Sequence, residues 1–340
     1  MIHKPNPGLG VRIFFDNMEK SIKIAYFGTP EFAASQLEAI LTAGYEVAVV
    51  VTMPDKPAGR GRKIQYSDVK NVALAHGLPL LQPEKLKDEA FLEQLASYHA
   101  DLFIVVAFRM LPAVVWQMPR LGTFNLHASL LPQYRGAAPI NFAIINGETE
   151  TGLTTFFLNE EIDKGAVIMR EKVDIRHDES AGELHDELMA LGNTVVVETI
   201  QKIESGEVVA LPQEELTENQ PLKPAPKITK EFCNVDWRQD CQRIYNHIRG
   251  LSPYPAAHTR LVSDNGEAID MKIFSSEMEP CQTQMAVGSV VTDNKKHLKV
   301  AVKDGFIHLT MVQQAGKKAM PITDFLRGTM LNGGWKTSNE

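Results

Sequence analysis

Short apolar runs alternate with amphipathic stretches along the amino-terminal part of this chain. The apolar run 22–27 predicts a buried strand, residues 30–43 predict a helix, and the run 47–51 predicts a second strand. This order of strand, helix and strand is typical of a parallel sheet covered by helices. The pattern therefore predicts a doubly wound α/β sheet.

The same alternation continues towards residue 206. We predict two more helices at 67–76 and 84–98, and a long helix at 181–205 whose apolar residues recur at helical spacing. Further strands are predicted at 78–81, 102–107, 122–127, 151–158 and 166–173. Together these elements predict a Rossmann-like, mostly parallel sheet in a domain that spans residues 21–206.

A different pattern begins after a proline-rich stretch. Residues 211–227 hold four prolines and show no period, which predicts an extended linker over residues 207–227. A helix is then predicted at 240–249, followed by short strands at 268–274, 287–291, 298–302 and 307–312 with Asp-Asn-Gly and Asp-Gly turns between them. Closely spaced strands of this kind predict a second, smaller OB-like β-barrel domain over residues 228–340.

Length and composition agree with two globular domains. The 340 residues exceed the roughly 150 of an average domain. A content of 44% hydrophobic and 23% charged residues suits packed cores. No apolar run approaches the ~20 residues of a membrane-spanning helix. Residues 1–20 lack a signal-peptide core and a burial pattern, so we expect a poorly ordered N-terminal extension or an upstream start codon, and a cytoplasmic protein without a membrane partner. We also expect a monomer.

Charge and cysteine content argue against several classes of protein. The net charge of −7 disfavours general coating of nucleic acid. Residues 227–340, however, carry 15 Lys and Arg against 12 Asp and Glu, so this part tolerates a polyanion better than the rest. Three cysteines without a Cys-x-x-Cys spacing disfavour a disulfide scaffold and a zinc ribbon. We predict no metal site.

The turn after the first strand resembles a phosphate loop only in part. A dinucleotide fingerprint needs Gly-x-Gly-x-x-Gly, because backbone amides must approach the pyrophosphate. Here Gly28 is followed by Pro30 and Glu31, which remove one amide and add a negative charge. We interpret the segment as a tight strand-to-helix turn.

The candidate chemistry lies at the end of the predicted strand 122–127. Asn125 and His127 are two positions apart, so both side chains point to the same side, at the carboxyl edge where open α/β sheets bind ligands. An amide beside an imidazole can stabilise the oxyanion that forms when a carbonyl is attacked, and the imidazole can also move a proton. The alternative is that His127 is a structural histidine.

A carboxylate that could orient His127 lies in the loop 159–165. Asp163 precedes a Lys-Gly turn between two predicted strands, which could place it at the same edge of the sheet. A contact between the two side chains would favour the charged imidazolium. We interpret Glu160 and Glu161 as solvated loop charges.

Several motifs carry a resemblance to a known family. Residues 125–132 are Asn-Leu-His-Ala-Ser-Leu-Leu-Pro, Arg-Gly-Ala-Ala-Pro follows at 135–139, and Asp163 stands at the matching distance. This order resembles the 10-formyltetrahydrofolate-dependent formyltransferases. The resemblance narrows to the methionyl-tRNA formyltransferases and covers about residues 20–331, on the strength of Phe-Gly-Thr-Pro-Glu-Phe at 27–32, the loop 54–63 and Ala-Gly-Lys-Lys-Ala-Met at 315–320.

The resemblance implies a fold, a reaction and a site. The family joins a Rossmann-like catalytic domain to an OB-like carboxyl-terminal domain, and it transfers the formyl group of 10-formyltetrahydrofolate to the α-amine of methionyl-initiator tRNA. It implies that Asn125 and His127 stabilise the oxyanion, that Asp163 with His127 handles the proton leaving the amine, and that no metal is required. The implied folate-binding strip is formed by Ser129, Leu130, Leu131 and Pro132.

One departure from the family concerns the loop after the predicted strand 102–107. The family often has Tyr-Gly where this chain has Phe108 and Arg109. The resemblance places this loop against the pterin, so the folate contacts of this loop are open. We expect Arg109 to face solvent.

The resemblance also assigns a role to two groups of cations. The loop 55–63 looks like the insertion that reaches the acceptor end of tRNA, where Lys and Arg would contact phosphates. A solvated surface loop is the alternative. Trp237 and Trp335 could stack on bases, but we favour packing within a core or interface. The implied tRNA-binding cations are Lys56, Arg60, Arg62, Lys63, Lys317 and Lys318.

Three other functions remain open. A formyltransferase acting on a nucleotide-sugar amine and a formyltetrahydrofolate hydrolase would share the Asn-His-Asp set, but the basic loop and the late Gly-Lys-Lys argue against both. The alternative from another class is a non-catalytic RNA-binding module on the same scaffold. The joint presence of Asn125, His127 and Asp163 argues against that alternative.

Overall fold

A computed structural model describes residues 11–12, 22–58, 63–217 and 220–338. The strands are β1 Val11–Arg12, β2 Lys23–Gly28, β3 Glu46–Val51, β4 Lys56–Ala58, β5 Lys63–Gln65, β6 Leu80–Leu81, β7 Leu102–Val106, β8 Thr123–His127, β9 Glu150–Phe157, β10 Val167–Asp174, β11 Val209–Ala210, β12 Ala257–Ser263, β13 Ala268–Pro280, β14 Val290–Thr292, β15 Leu298–Val302, β16 Gly305–Gln314, β17 Met320–Pro321 and β18 Trp335–Ser338. The helices are α1 Glu31–Thr42, α2 Asp68–Ala75, α3 Glu89–Ser97, α4 Ala113–Trp116, α5 Pro139–Ile145, α6 Ala181–Glu204, α7 Cys241–Leu251 and α8 Ile322–Gly328, with a short 3₁₀ helix at Gln213–Leu216.

The chain divides into two compact units. The first comprises Met1–Gly136, Gly152–Val173 and Glu187–Lys223, and the second comprises Ala137–Thr151, Asp174–Asp186 and Pro224–Glu340. The division therefore does not follow one point of the sequence. The domain boundaries expected from the sequence, 21–206 and 228–340 with a linker between them, stay a prediction.

The sheet of the first unit has seven strands in the order β10-β9-β8-β7-β2-β3-β6. The pairs β6–β3, β3–β2, β2–β7 and β7–β8 are parallel, and β9 joins β8 in the antiparallel sense. All five residues of β7 are buried, as expected of a central parallel strand whose two faces are covered. The predicted Rossmann-like, mostly parallel sheet is confirmed.

Local signals explain how the helices begin. The Ser67 side chain accepts a hydrogen bond from the Lys70 amide at 3.1 Å at the start of α2, and Asp88 accepts one from the Phe91 amide at 3.2 Å at the start of α3. Gly28 ends β2 where a Cβ would lie 2.6 Å from the Ala33 Cβ, so helix α1 packs closely against the strand. The predicted strand-to-helix turn is confirmed.

The second unit contains an antiparallel sheet in the order β14-β15-β16-β13-β12-β18, with β17 paired to β16. A bridge between Ser289 and Lys336, with a 2.8 Å bond from the Thr337 amide to the Gly288 carbonyl, joins the two ends of this order. The sheet is therefore a nearly closed barrel, as the sequence predicts. Its core contains the buried Trp237 and Trp335 side chains.

Both tryptophans are packing residues in this unit. The Trp237 indole donates to the Thr259 hydroxyl at 3.0 Å, and the Trp335 indole donates to the Asn332 carbonyl at 3.1 Å. Since both side chains are buried, neither offers an exposed face to a base. The packing role that we favoured is confirmed.

Several elements were not predicted. Helix α5 belongs to the second unit, where Asn141 donates to the Gly250 carbonyl at 2.7 Å and the Phe142 ring lies 5.3 Å from that of Phe232. Strand β12 and helix α8 also lie in this unit. Within the predicted linker, β11 pairs with β1, so residues Val11 and Arg12 of the expected extension are ordered into a strand. The other residues of 1–20 lie outside the described part of the chain.

Two general expectations concern membranes and metals. Among the described residues, no helix has the length and apolar character needed to span a membrane. The same residues contain no group of three or more His, Cys, Asp or Glu placed to hold a metal ion. Cys233 and Cys241 are buried as free thiols, and Cys281 is exposed.

Candidate functional site

The candidate site is built around the carboxyl end of β8. This strand lies between β7 and β9, and Asn125 is its one partly exposed residue, whereas His127 is buried. The side-chain amide of Asn125 makes no hydrogen bond to any residue within the described ranges. An amide in this state has its donors available for a bound molecule.

His127 is held by the backbone of the following loop. Its Nε2–H donates to the Tyr134 carbonyl at 3.0 Å, because a carbonyl oxygen can only accept. In the neutral imidazole the proton is then on Nε2 and the lone pair is on Nδ1. The buried ring can therefore take up a proton at Nδ1, and the imidazolium so formed can donate from that atom.

Asp163 is bonded to the same loop by its carboxylate. Its Oδ2 accepts a hydrogen bond from the Gly136 amide at 3.0 Å. The direct contact with His127 that we expected is not made in this structure, where the ring nitrogen is bonded to Tyr134 instead. The segment Tyr134–Gly136 thus connects the histidine and the carboxylate, and it holds each at one end.

Three residues in loops of the first unit have strained backbone conformations. Ala107, Tyr134 and Asp163 have φ values of 46°, 60° and 54°, in the left-handed region that residues other than glycine rarely adopt. Such conformations persist where the surrounding structure enforces them, and they are common at functional sites. The loops that follow β7, β8 and β9 each contain one of these three residues.

Two side chains absent from the sequence-based site fix the Asp163 loop. Gln213 is fully buried, and its amide donates to the Asp163 carbonyl at 2.8 Å and to the Gly165 carbonyl at 2.9 Å. Arg135 donates to the Gln213 Oε1 at 2.6 Å and to the Asp163 carbonyl at 3.1 Å. Three of these hydrogen bonds hold the backbone of the Asp163 loop, and the fourth joins the two side chains that supply them.

Gly165 has a steric reason for its identity. A Cβ at this position would lie 1.6 Å from the Phe157 carbonyl oxygen, so only glycine allows the loop to return against β9. The glycine was visible in the sequence as part of a Lys-Gly turn, but Gln213 was not. No local pattern marks a glutamine in a proline-rich segment as a partner of a loop that lies fifty positions earlier.

The predicted folate strip is tied into the protein by its own contacts. The Ser129 hydroxyl donates to the Gln133 carbonyl at 2.7 Å, and the Leu131 amide donates to the Thr154 hydroxyl at 3.0 Å. Leu131 packs in a small core with Phe156 and Val167. Pro132 is also buried, and Leu130 is partly exposed. These bonds shape the loop that leads from His127 to Tyr134.

The loop after β7 lines a groove of about 620 Å³. Its lining is mostly apolar, and the cationic residues in it are Lys87 and Arg109. Phe108 packs against Phe27 with ring centroids 5.9 Å apart. Arg109, which we expected to face solvent, is partly exposed, and its guanidinium donates to the Glu84 carbonyl at 2.8 Å and also to the Pro83 carbonyl. Burial lowers the pKa of this guanidinium from its usual value.

The predicted tRNA-binding cations lie on two hairpins. Lys56 is exposed in β4, and Lys63 begins its antiparallel partner β5. Arg60 and Arg62 lie outside the described residues. Lys317 and Lys318 are exposed in the turn between β16 and β17. The β4–β5 hairpin belongs to the first unit, and the hairpin of β16 and β17 belongs to the second.

Comparison with protein families identifies both parts of the chain. The family model for formyl transferases matches residues 22–200, and the model for the formyl transferase C-terminal domain matches residues 227–330. The first match alone covers more than half of the 340 residues. It includes the candidate catalytic positions Asn125, His127 and Asp163.

Among solved structures, the similar chains share the fold at low sequence identity. A sugar 3N-formyl transferase, WlaRD, crystallised in the presence of dTDP and 5-N-formyl-THF, has a TM-score of 0.61 at 19% identity, covering 88% of this chain and all of that one. HypX from Aquifex aeolicus in complex with tetrahydrofolic acid has a TM-score of 0.60 at 18% identity, covering 92% of this chain and 48% of that one.

Curated relatives are much more similar in sequence. A methionyl-tRNA formyltransferase of Bacteroides fragilis is 56% identical over 318 residues, which cover 94% of this chain and 98% of the relative. That of Flavobacterium johnsoniae is 52% identical over 311 residues, covering 92% of this chain and 97% of the relative. With this identity over nearly the whole length, and with both family models matched in order, the chain belongs to the methionyl-tRNA formyltransferase family.

Proposed function

We propose that this protein transfers the formyl group of 10-formyltetrahydrofolate to the α-amine of methionyl-initiator tRNA. The observation that carries the proposal is the arrangement at the end of β8. There the unpaired amide of Asn125 lies two positions before His127, whose ring is fixed in one tautomer by the Tyr134 carbonyl. Family membership supplies the reaction class. The three candidate catalytic residues are Asn125, His127 and Asp163.

Each candidate residue has a role that its hydrogen bonds support. The Asn125 amide can donate to the carbonyl oxygen that becomes negative when the amine attacks. His127, with Nε2–H bonded to Tyr134, can accept the amine proton at Nδ1 and then donate from that atom. The Asp163 carboxylate, bonded to the Gly136 amide, can stabilise the positive charge that develops.

The residues present fit a folate donor, which would supply the activated formyl group. The groove beside the β7 loop is of the size of pockets that hold small molecules, and its apolar lining suits a flat heteroaromatic ring. The groove lining also contains Lys87, an ammonium that can pair with a carboxylate of a bound molecule. Whether Ser129, Leu130, Leu131 and Pro132 contact the folate directly, as the resemblance implies, stays part of the proposal.

The acceptor is proposed from charge and from family membership. Lys56, Lys63, Lys317 and Lys318 stand on hairpins, and Arg60 and Arg62 lie between two of them in the sequence. These cations can contact the phosphates of a polyanion such as tRNA, whereas a simple sugar amine or water offers no such chain of phosphates. We propose that the protein acts in the cytoplasm as a monomer.

The decisive experiment is a comparison of acceptors. Purified protein with 10-formyltetrahydrofolate is given methionyl-initiator tRNA or a dTDP-linked amino sugar, with uncharged initiator tRNA as the control that lacks the α-amine. We expect formylation of the charged tRNA alone. Transfer to the sugar, hydrolysis of the donor without transfer, or tRNA binding without turnover would each replace the proposal by one of the three alternatives.

A further inference from the structure

A nearly buried lysine lies at the base of the β4–β5 hairpin. The Lys70 side chain is 11% exposed. Its Nζ donates to Asp55 Oδ2 at 2.5 Å and to Gln82 Oε1 at 2.9 Å. A lysine ammonium is rarely buried unless it is paired, because removing the charge from water is costly. Neither the catalytic proposal nor the folate groove uses this lysine.

The partners of Lys70 stand at the two ends of the hairpin. Asp55 immediately precedes β4, and Tyr66 immediately follows β5. The ammonium lies 3.9 Å from the centre of the Tyr66 ring, a distance at which a cation is attracted to an aromatic face. One side chain therefore contacts the residue that enters the hairpin and the residue that leaves it.

Further hydrogen bonds make this arrangement a closed network. Gln82 donates to Asp55 Oδ1 at 2.8 Å and to the Met53 carbonyl at 2.9 Å, so the carboxylate is held on both oxygens. The hydrogen bonds from Lys70 and Gln82 lower the pKa of Asp55 from its usual value. Lys70 itself is placed by helix α2, whose capping residue Ser67 is 2.8 Å from the Thr52 hydroxyl.

We propose that Lys70 is a positioning residue that fixes the β4–β5 hairpin against helix α2 and thereby sets where the hairpin presents its cations to the acceptor. The inference rests on the proposed function, since it assumes a polyanionic acceptor. Lys70 does not contact the acceptor itself, because its ammonium is used by Asp55, Gln82 and the Tyr66 ring. Its effect is transmitted through Asp55 and Tyr66.

Hydrogen exchange tests the positioning step without any acceptor. In Lys70→Met, which keeps most of the length of the side chain and removes its charge, the amides of the paired strand residues Lys56, Ala58 and 63–65 should exchange at least ~10-fold faster than in the parent, as a local opening made easier by about 1.4 kcal/mol would give. The matched control is Lys23→Met, because Lys23 forms an exposed pair with Glu46 at 3.4 Å. Unchanged exchange in these strand residues would overturn the proposal.

Steady-state kinetics test the functional step. Lys70→Met should raise KM for charged initiator tRNA about 10-fold, with KM for the folate and kcat near those of the parent. Lys70→Arg, which retains a cation, should recover most of the affinity, and Asp55→Asn serves if Lys70→Met does not fold. Faster exchange with unchanged KM for tRNA would also overturn the proposal. If the proposed function is wrong, the parent enzyme itself will not formylate charged tRNA. If only the role of Lys70 is wrong, the parent enzyme will be active and Lys70→Met will behave like it.

Discussion

At the scale of single residues, the site depends on backbone groups as much as on side chains. The Tyr134 carbonyl selects the tautomer of His127, and the Gly136 amide holds the carboxylate of Asp163. These two backbone groups are two residues apart on one loop, so this loop holds both the His127 ring and the Asp163 carboxylate. Substitutions of Tyr134 that preserve the backbone should leave this relation intact, since the ring of the tyrosine takes no part in the bond to His127.

The first prediction concerns the candidate catalytic residues. Alanine at Asn125, His127 or Asp163 should lower kcat by on the order of 10² or more, because each removes a group that acts on charge developing in the transition state. Formylation kinetics, with tRNA binding measured separately, test this. His177→Ala is the control, since that histidine is 93% exposed. Near-normal turnover of His127→Ala would make it a structural histidine.

The second prediction concerns Gln213. Replacement by Ala removes the Gln213 donor from the Gly165 carbonyl and leaves the Asp163 carbonyl with Arg135 alone, so the free energy of unfolding should fall by about 1–3 kcal/mol and kcat should fall with it. Denaturant unfolding and formylation assays measure the two effects. The exposed Gln201 on α6 provides the matched Gln→Ala control. A Gln213→Ala enzyme with the stability and the kcat of the parent would show that the Asp163 loop does not depend on Gln213.

At the scale of elements, the turn between β14 and β15 is held by one carboxylate. Asp293 Oδ1 accepts from the amides of Lys296, Lys295 and His297 at 2.8, 2.9 and 3.1 Å. These bonds, with that of Lys296 as the largest cause, hold the pKa of Asp293 well below its usual range. The charged form of Asp293 therefore contributes stability to the barrel.

The third prediction follows from the sign of this shift. A carboxyl whose pKa is lower in the folded state stabilises above its unfolded pKa of about 3.9, and the contribution is lost as the pH falls towards the folded value. Asp293→Asn should therefore lower Tm at pH 7, and the difference from the parent should shrink below about pH 4. Thermal unfolding across pH 2–7 tests this, with the exposed Asp324→Asn as control. A pH-independent difference would assign the effect to geometry.

Elements also show what a sequence can and cannot predict. Strand β7 was predicted from its five apolar residues, and helix α6 from the helical spacing of its apolar residues. Both signals are local in the sequence. Helix α5 was missed although Pro139 at its first turn is a known helix start. Gln213 could not have been found, because its burial depends on contacts distant in sequence.

At the scale of the whole molecule, the fourth prediction concerns salt. Arg60 stands between two glycines, and its guanidinium is suited to bidentate contact with phosphate. Arg60→Ala should weaken binding of charged tRNA and reduce the slope of log K against log salt by about 0.7–0.9, while folate binding is unchanged. Titrations at several salt concentrations test this, with Lys23→Ala as the control cation. Equal affinity and equal slope would leave the loop as a solvated surface feature.

The membership of α5 in the second unit has a consequence for anyone who divides this chain. A cut in the region 207–227 would leave α5 in the amino-terminal fragment and remove the partners of Phe142 and Asn141, which are Phe232 and Gly250. Such a fragment would display an apolar helix face to water, and we expect it to aggregate on expression. A split that respects the packing would have to keep residues 137–151 and 174–186 with 224–340, and no single cut of the chain does so.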